Sequence, residues 1–286
     1  MYMIKEKNYI SKNINNHVLT GGDKGNTQMA KTCQGYSKKN VLGIDFNDII
    51  LAEVLDNIQK NIAERQCGYI VTPNVDHIIL FQKDTQYQEI CRGATLILAD
   101  GMPVIWASKL LGAPLPEKIS GSDLAPILCE LSARKGYKMF FLGGRTGAAL
   151  RAKKNLEMRY PGIQIVGTYS PPIGFENDTD EKQKIIDMIN CAEPDLLLVG
   201  LGTPKQEKWI KQHYRMLTVP ICIGVGATFE FLAEIVKRAP IWMQRSGLEW
   251  FWRLLMEPKR LWKRYLINDM QFIWLLLKEK SKHLLT

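Results

Sequence analysis

Two apolar runs in the first half of the chain stop on residues that can handle protons. Gly68–Val71 ends in Thr72-Pro73-Asn74, and Thr95–Ala99 ends in Asp100-Gly101. Each is followed by a helix-like pattern, as in an open parallel sheet, where ligands bind at the carboxyl ends of the strands. A carboxylate fixed at such an end is a candidate general base, and Gly101 lets the backbone turn tightly beside it. Asn and Asp after strands are also common helix N-caps, and Thr-Pro-Asn is ordinary turn chemistry. Spacing alone leaves both readings of Asp100 open.

A second kind of chemistry is suggested at Lys138–Leu142, an apolar strand running into Gly143-Gly144-Arg145-Thr146-Gly147 and then a helix to Tyr160. Backbone N–H groups at such a turn, with the helix dipole behind them, face an anion such as phosphate, and Arg145 adds a fork for its oxygens. The turn lacks the GK[ST] of a Walker loop and is not a GxGxxG fingerprint. The strand Asp195–Leu201 ends in Gly202-Thr203-Pro204-Lys205-Gln206-Glu207, where Thr203 is expected to cap a helix with Pro204 at its first position. The last strand, Ile221–Val225, leads into Gly226 and Glu230, a carboxylate able to accept hydrogen bonds from a ribose or base. Asp178-Thr179-Asp180 matches the DxD metal motif formally, but it precedes a polar helix start and reads as a solvated N-cap. No metal site is expected.

The elements that must position these residues alternate strand and helix. The spacing predicts a strand at Val41–Ile44, a helix over Phe46–Glu64, a helix from Asp76 extending to Cys91, and helices at Met102–Leu111 and from Ser120 to Arg134. The expected fold class is α/β, a Rossmann-like, mostly parallel sheet with helices on both faces. With 286 residues, 46% of them apolar, the chain can bury one large domain plus an appendage. The six cysteines show no CxxC spacing, which fits reduced thiols rather than a zinc ribbon or disulfide framework. No apolar run reaches the length needed to span a bilayer, and no signal peptide is read.

The net charge of +9 is unevenly spread. Residues 1–40 carry seven lysines against two acids and read as a poorly ordered basic leader. Residues 41–236, the expected catalytic domain, are mildly acidic; residues 237–286 carry eleven Lys and Arg against four acids. Five of the seven tryptophans lie in that last segment, interleaved with arginines and lysines. This is the pattern of an appendage lying at an anionic membrane surface. Packing against the main domain is the compatible second reading, and nucleic acid, which would want a basic cleft, is not an expected partner.

The blocks TPNVDHI, ADGMPVIWASKLLG, FFLGGRTGAA, LLLVGLGTPKQEKWI, GVGATFEFLA and EWFWRLLMEPKRLWKRYL, in this order, resemble the WecG/TagA/CpsF glycosyltransferases over about residues 41–268. The resemblance implies a metal-independent inverting transfer, without a cofactor, from a UDP-activated sugar, often UDP-N-acetylmannosamine. The acceptor it implies is a polyprenyl-diphosphate-linked sugar at the cytoplasmic face of the plasma membrane, in teichoic acid or exopolysaccharide assembly. By the same resemblance Asp100 is the general base, Thr72, Asn74 and Gln206 line its pocket, and Lys118, Arg253, Arg260 and Lys263 meet the acceptor diphosphate. The donor site falls on Gly143, Gly144, Arg145, Gly202, Gly226 and Glu230. Lys118 and Lys263 stand where relatives often carry Arg, and Glu230 where they commonly carry Asp. A core that associates with itself is also implied.

Other readings remain. Transfer of glucose or another hexose in exopolysaccharide assembly shares all these residues. A nicotinamide-dependent oxidoreductase is disfavoured, because no GxGxxG follows the first strand with an acid about 20 residues on. A non-catalytic module binding anionic lipid or nucleic acid through the tail is the third.

Overall fold

A computed structural model describes residues 35–256, 258 and 269–285. The first 34 residues, which carry most of the expected leader, together with Arg260 and Lys263, lie outside the described residues. Six strands form one sheet: β3 (Gly68–Val71), β4 (Leu96–Ile97), β5 (Lys138–Gly143), β6 (Gln164–Tyr169), β7 (Leu196–Gly200) and β8 (Ile221–Gly224). Their order is β4-β3-β8-β7-β5-β6, and every neighbouring pair is parallel.

Parallel sheets need both faces covered, and the strands supply apolar residues to both. In β7, Leu197 and Val199 face one core while Leu196 and Leu198 face the other. One face is covered by α2 (Val75–Phe81), α3 (Thr85–Arg92), α4 (Met102–Leu110), α7 (Thr179–Ala192) and α8 (Lys205–His213). The other is covered by α1 (Leu51–Ala63), α5 (Gly121–Lys135), α6 (Ala148–Arg159) and α9 (Thr228–Leu232). The expected fold class is the observed one.

Several boundaries differ from the sequence reading for local reasons. The strand expected at Val41–Ile44 straddles a turn: β1 (Lys38–Val41) and β2 (Ile44–Asn47) form an antiparallel hairpin. Leu42 and Gly43 both have positive φ, 52° and 90°, the geometry of a two-residue hairpin turn. Lys38–Asn40, expected in the leader, therefore belong to a strand. The hairpin also covers the open edge of β4, because Asn47 Oδ1 accepts from the Ile97 amide at 2.8 Å. The single helix expected from Asp76 to Cys91 is two, α2 and α3. Asp84 breaks it by accepting from the Tyr87 amide at 3.1 Å and starting a new helix.

The C-terminal segment contains α10 (Ile241–Arg245), α11 (Glu249–Met256) and α12 (Asp269–Leu285). No helix among the described residues is long and apolar enough to cross a membrane. Part of the segment packs onto the main domain: Phe272 of α12 is buried in the core, and Lys83 Nζ donates to Gln271 Oε1 at 2.9 Å. Other residues of the segment, Trp242 and Trp274 among them, remain exposed.

The strand ends approach so closely that glycine is required there. A Cβ on Gly200 would lie 2.7 Å from Gly226 O and 2.9 Å from the Phe229 ring. Gly200→Ala is therefore expected to lower stability by about 1–3 kcal/mol, as overpacking does. Chemical denaturation checks this effect, and an unchanged midpoint would show that the two loops separate freely.

Candidate active site

The carboxyl ends of all six strands open into one cleft of about 850 Å³. Thr72 and Asn74 follow β3 and Asp100 follows β4. Gly144 and Arg145 follow β5, Pro171 and Pro172 follow β6, Gly202–Gln206 follow β7, and Gly226 follows β8. The cleft thus gathers Thr72, Asn74, Asp100, Arg145, Gln206, Glu230 and, from the C-terminal segment, Arg253. Lys118 lines a smaller cavity of about 150 Å³ that shares Asn74, Asp100 and Arg253 with the cleft.

Asp100 is held by its backbone: its amide donates to Pro73 O at 3.0 Å, tying the β3 and β4 ends together. Gly101 then takes φ 98°, the left-handed region that suits glycine, and α4 starts with Pro103 in its first turn. No described residue donates a hydrogen bond to the Asp100 carboxylate. Burial raises its pKa, and Lys118 and Arg253 pull it back only in part. The result is a carboxyl above its ordinary range, a better proton acceptor than an exposed aspartate.

Lys118 reaches this corner because the Ile119 amide donates to Ala99 O at 2.9 Å, placing its loop beside the Asp100 strand end. Its Nζ lies 2.5 Å from Asp123 Oδ2. Burial alone would lower the Lys118 pKa, but Asp123 more than reverses that, so the ammonium stays charged. Asp123 sits in the first turn of α5, whose N-cap Ser120 accepts from the Asp123 amide at 3.1 Å.

Beneath the cleft runs a buried polar chain. Asn74 caps α2, its Oδ1 accepting from the Asp76 and His77 amides, while His77 Nδ1 accepts from the Asn74 amide at 3.2 Å. The same Nδ1 lies 2.8 Å from Asn74 Oδ1, and Nε2 faces Thr203 Oγ1 at 2.9 Å and Glu207 Oε1 at 3.3 Å. Glu207 Oε1 also accepts from Gln206 Nε2 at 2.7 Å, and Gln206 Oε1 accepts from the Gly226 amide at 3.0 Å. Gln206 is therefore occupied at both ends and positions the β8 turn. Gly224 makes room for it, since a Cβ there would lie 2.8 Å from Gln206 Nε2. Thr203 does not cap α8 as expected. The Thr203–Pro204 bond is cis, α8 begins at Lys205, and the threonine hydroxyl turns to His77 instead.

At the β5 turn, the Gly144 amide donates to Gly200 O at 2.7 Å and the Arg145 amide to Glu230 Oε1 at 3.0 Å. Two amides of the glycine-rich turn thus have partners inside the chain. What the turn offers a ligand is the exposed Arg145 side chain and the remaining amides before α6. Glu230 is buried, and its Oε2 has no partner among the described residues. An acceptor so placed on the wall of the cleft suits a hydroxyl donor.

The C-terminal segment completes the site. Arg238 is almost fully buried and bridges Asp123 of α5 and Glu249 of α11, with Nε 3.4 Å from Glu249 Oε1 and further bonds to the Ser122 carbonyl and hydroxyl. Glu249 also holds Arg253 Nη2 at 3.4 Å. The Arg253 Nε is buried without a partner, and its guanidinium lies over the Phe231 ring. Asp178 caps α7 as expected, accepting from the Asp180 and Glu181 amides at 3.0 Å each. No group of three metal-ligating side chains occurs among the described residues.

Sequence reasoning missed His77, Glu207, Arg238 and Glu249. His77 was legible in principle, standing three residues after the capping Asn74, where a capping-box partner belongs. The partners of Arg238 are 115 and 11 residues away, and only the fold joins them.

A family model described as "Glycosyl transferase WecG/TagA/CpsF family" matches residues 39–285. Three relatives carry the name N-acetylglucosaminyldiphosphoundecaprenol N-acetyl-beta-D-mannosaminyltransferase. That of Bacillus spizizenii is 31% identical over 229 residues, covering 80% of this chain and 86% of the relative. That of Bacillus subtilis is 31% identical over 245 residues, covering 85% and 93%. That of Staphylococcus aureus is 31% identical over 227 residues, covering 79% and 87%. With a cleft built from the ends of a parallel sheet and a match running from the first hairpin into the last helix, this chain belongs to the WecG/TagA/CpsF family of glycosyl transferases.

Proposed function

We propose that this enzyme transfers N-acetylmannosamine, with inversion, from a UDP-sugar to N-acetylglucosamine carried on a polyprenyl diphosphate at the cytoplasmic face of a membrane. The observation that carries the reading is Asp100: a half-buried carboxylate with a raised pKa, with Lys118 and Arg253 nearby, on the wall of the cleft. The names of the relatives support the sugar and the acceptor.

In this reading Asp100 takes the proton of the acceptor hydroxyl while that oxygen attacks the anomeric carbon from the face opposite UDP. The bond from that carbon to the diphosphate oxygen breaks, and its electron pair leaves with UDP. Arg145 and the turn before α6 offset the developing charge. Glu230 Oε2 accepts from a ribose hydroxyl, while its Oε1 stays bonded to the Arg145 amide. On the acceptor side Arg253, with its unpartnered Nε, meets the diphosphate. Lys118, already paired with Asp123, adds a point charge. The reaction proceeds without a protein-held divalent ion. In support, Asp178 of the DxD run is spent on capping α7.

The test measures UDP release from UDP-N-acetylmannosamine, UDP-N-acetylglucosamine and UDP-glucose, with a polyprenyl-diphosphate-N-acetylglucosamine acceptor and EDTA present. Turnover on the first donor alone is expected. Glu230→Gln should reduce the protection that UDP gives in a thermal melt, by about tenfold in apparent affinity for one lost charged hydrogen bond. Turnover abolished by EDTA would remove the metal-free mechanism, and preference for UDP-glucose would move the enzyme to hexose transfer.

A further inference from the structure

Beside the catalytic cleft lies a second, more apolar space of about 570 Å³, between the start of α5, the end of α6, α9 and the strap 236–240. A small cavity of about 90 Å³ shares walls with both. Arg145, Glu230, Phe231 and Arg253 line it and the cleft, while Phe231, Val236, Lys237, Arg238 and Trp252 line it and the apolar space. The three spaces share walls in series, and the middle one sets Arg145, Lys237, Arg238 and Arg253 against Glu230 and Glu249.

We infer that the apolar space holds the first isoprene units of the acceptor's lipid chain, threaded through this middle space from the cleft. The inference rests on the transfer reaction proposed above and adds where the hydrocarbon goes. Its basis is the order of chemistry along the series. A sugar-diphosphate-prenyl molecule carries, in sequence, a nucleophilic hydroxyl, two phosphates and a hydrocarbon. The protein presents, in the same sequence, Asp100, then Arg253 and Lys237, then Phe231, Trp252, Leu232, Leu156 and Pro126. The unpartnered Nε of Arg253 stands where the phosphates would pass.

The walls are fixed rather than collapsed. Trp252 Nε1 donates to Lys237 O at 3.1 Å, pinning the indole against the strap. Asn155 Nδ2 donates to Leu232 O at 3.0 Å, holding α6 to the end of α9 on the far side. The space lies within the range of volumes that bind small apolar ligands, yet it takes only the beginning of a long polyprenyl chain. The remainder must leave past Asn155, Arg159 and Glu234, which make the far rim polar. Arg159, half-buried with its guanidinium over the Tyr160 ring, is the cation of that rim.

The experiment compares two acceptors with the same N-acetylglucosamine diphosphate head, one ending in a tetraprenyl chain and one in an ethyl group. In the wild type the KM for the tetraprenyl acceptor is expected to be at least tenfold lower. Leu232→Trp, which fills the space, should shrink that KM ratio about tenfold, a change equal to losing the burial of about two methylene groups. Because the readout is a ratio within one protein, a loss of folded enzyme cancels.

As a check free of mutation, a diazirine on the second isoprene unit should label wild-type residues 155–159 or 231–236. An unchanged ratio in Leu232→Trp, or labelling confined to residues 249–256, would overturn the inference and leave the transfer reaction standing. Turnover of neither acceptor by the wild type would instead strike down the reaction, and this inference with it. Equal competition against both acceptors by a detergent monomer, with no prenyl labelling in the space, would assign it to adventitious amphiphiles and also overturn the inference.

Discussion

Asp100→Asn is expected to cost the transfer reaction a factor of about 10²–10⁴, the usual worth of a positioned general base, while leaving UDP binding close to that of the wild type. Asparagine keeps the shape at the end of β4 and the backbone bond to Pro73, so geometry is not what is lost. Stability supplies a second, opposite sign. Burial raises the Asp100 pKa, so folding disfavours the ionised form. A carboxyl whose folded pKa lies above its unfolded value destabilises the fold as pH rises through the interval between the two. At neutral pH the wild type carries that cost and the asparagine variant does not, so Asp100→Asn should melt at the same temperature or higher. A variant that is less active and less stable together would point to a structural aspartate.

The same physics predicts the acid limb of the pH profile. With Asp100 as the proposed base, activity should fall as pH drops through a pKa above the ordinary aspartate range. Lys118 is the first of the cations that pull this pKa down, and Lys118→Met should move the limb to still higher pH. An unmoved limb would separate Lys118 from the base.

How much of this was legible before folding depends on the range of the interactions. The strands and their site-bearing ends were legible, because apolar runs stopping on Thr72-Pro73-Asn74, Asp100-Gly101 and Gly143-Gly144-Arg145 report burial and turning within a few residues. The hairpin at Leu42-Gly43 was not. Val41-Leu42-Gly43-Ile44 reads as one short apolar strand, and the positive φ of a leucine leaves no mark in the sequence. Gln206, a pocket residue by resemblance, lines the cleft, but its hydrogen bonds were hidden. Its Nε2 bonds the neighbouring Glu207, and its Oε1 holds the Gly226 amide through a contact across 20 residues. The division between a catalytic domain ending at 236 and an appendage was drawn from composition. Charge and tryptophan content do change there, yet Arg238, Glu249 and Arg253 bind back into the site. Composition reports what an exposed surface meets, and it is blind to three charged residues that pair inward.

Arg238 is where that inward pairing is decided, and its loss should be the largest single effect on stability. Burial would raise the Asp123 pKa, but Arg238 and Lys118 reverse this and hold the carboxyl well below the usual range. Removing Arg238 leaves Asp123 with Lys118 and the Ser120 hydroxyl, and leaves Glu249 with only the 3.4 Å contact to Arg253. Breaking a buried pair from one side costs about 3–5 kcal/mol, because the remaining charge stays desolvated. Arg238→Met should therefore lower the denaturation midpoint by that amount.

It should also make the fold newly sensitive to acid. A depressed carboxyl contributes stability above its unfolded pKa and loses it only as pH falls through the folded one. With its first cation gone, the folded pKa of Asp123 rises and that contribution is smaller and lost at higher pH. Arg238→Lys keeps the charge but not the fork that reaches both Asp123 and Glu249, so it should recover part of the stability and less of the turnover. Glu249→Gln added to Arg238→Met should give back stability, since it removes a charge left with only the 3.4 Å contact to Arg253. If that double variant were as unstable as the sum of the two single ones, Arg238 would be filling space rather than holding α11 against α5.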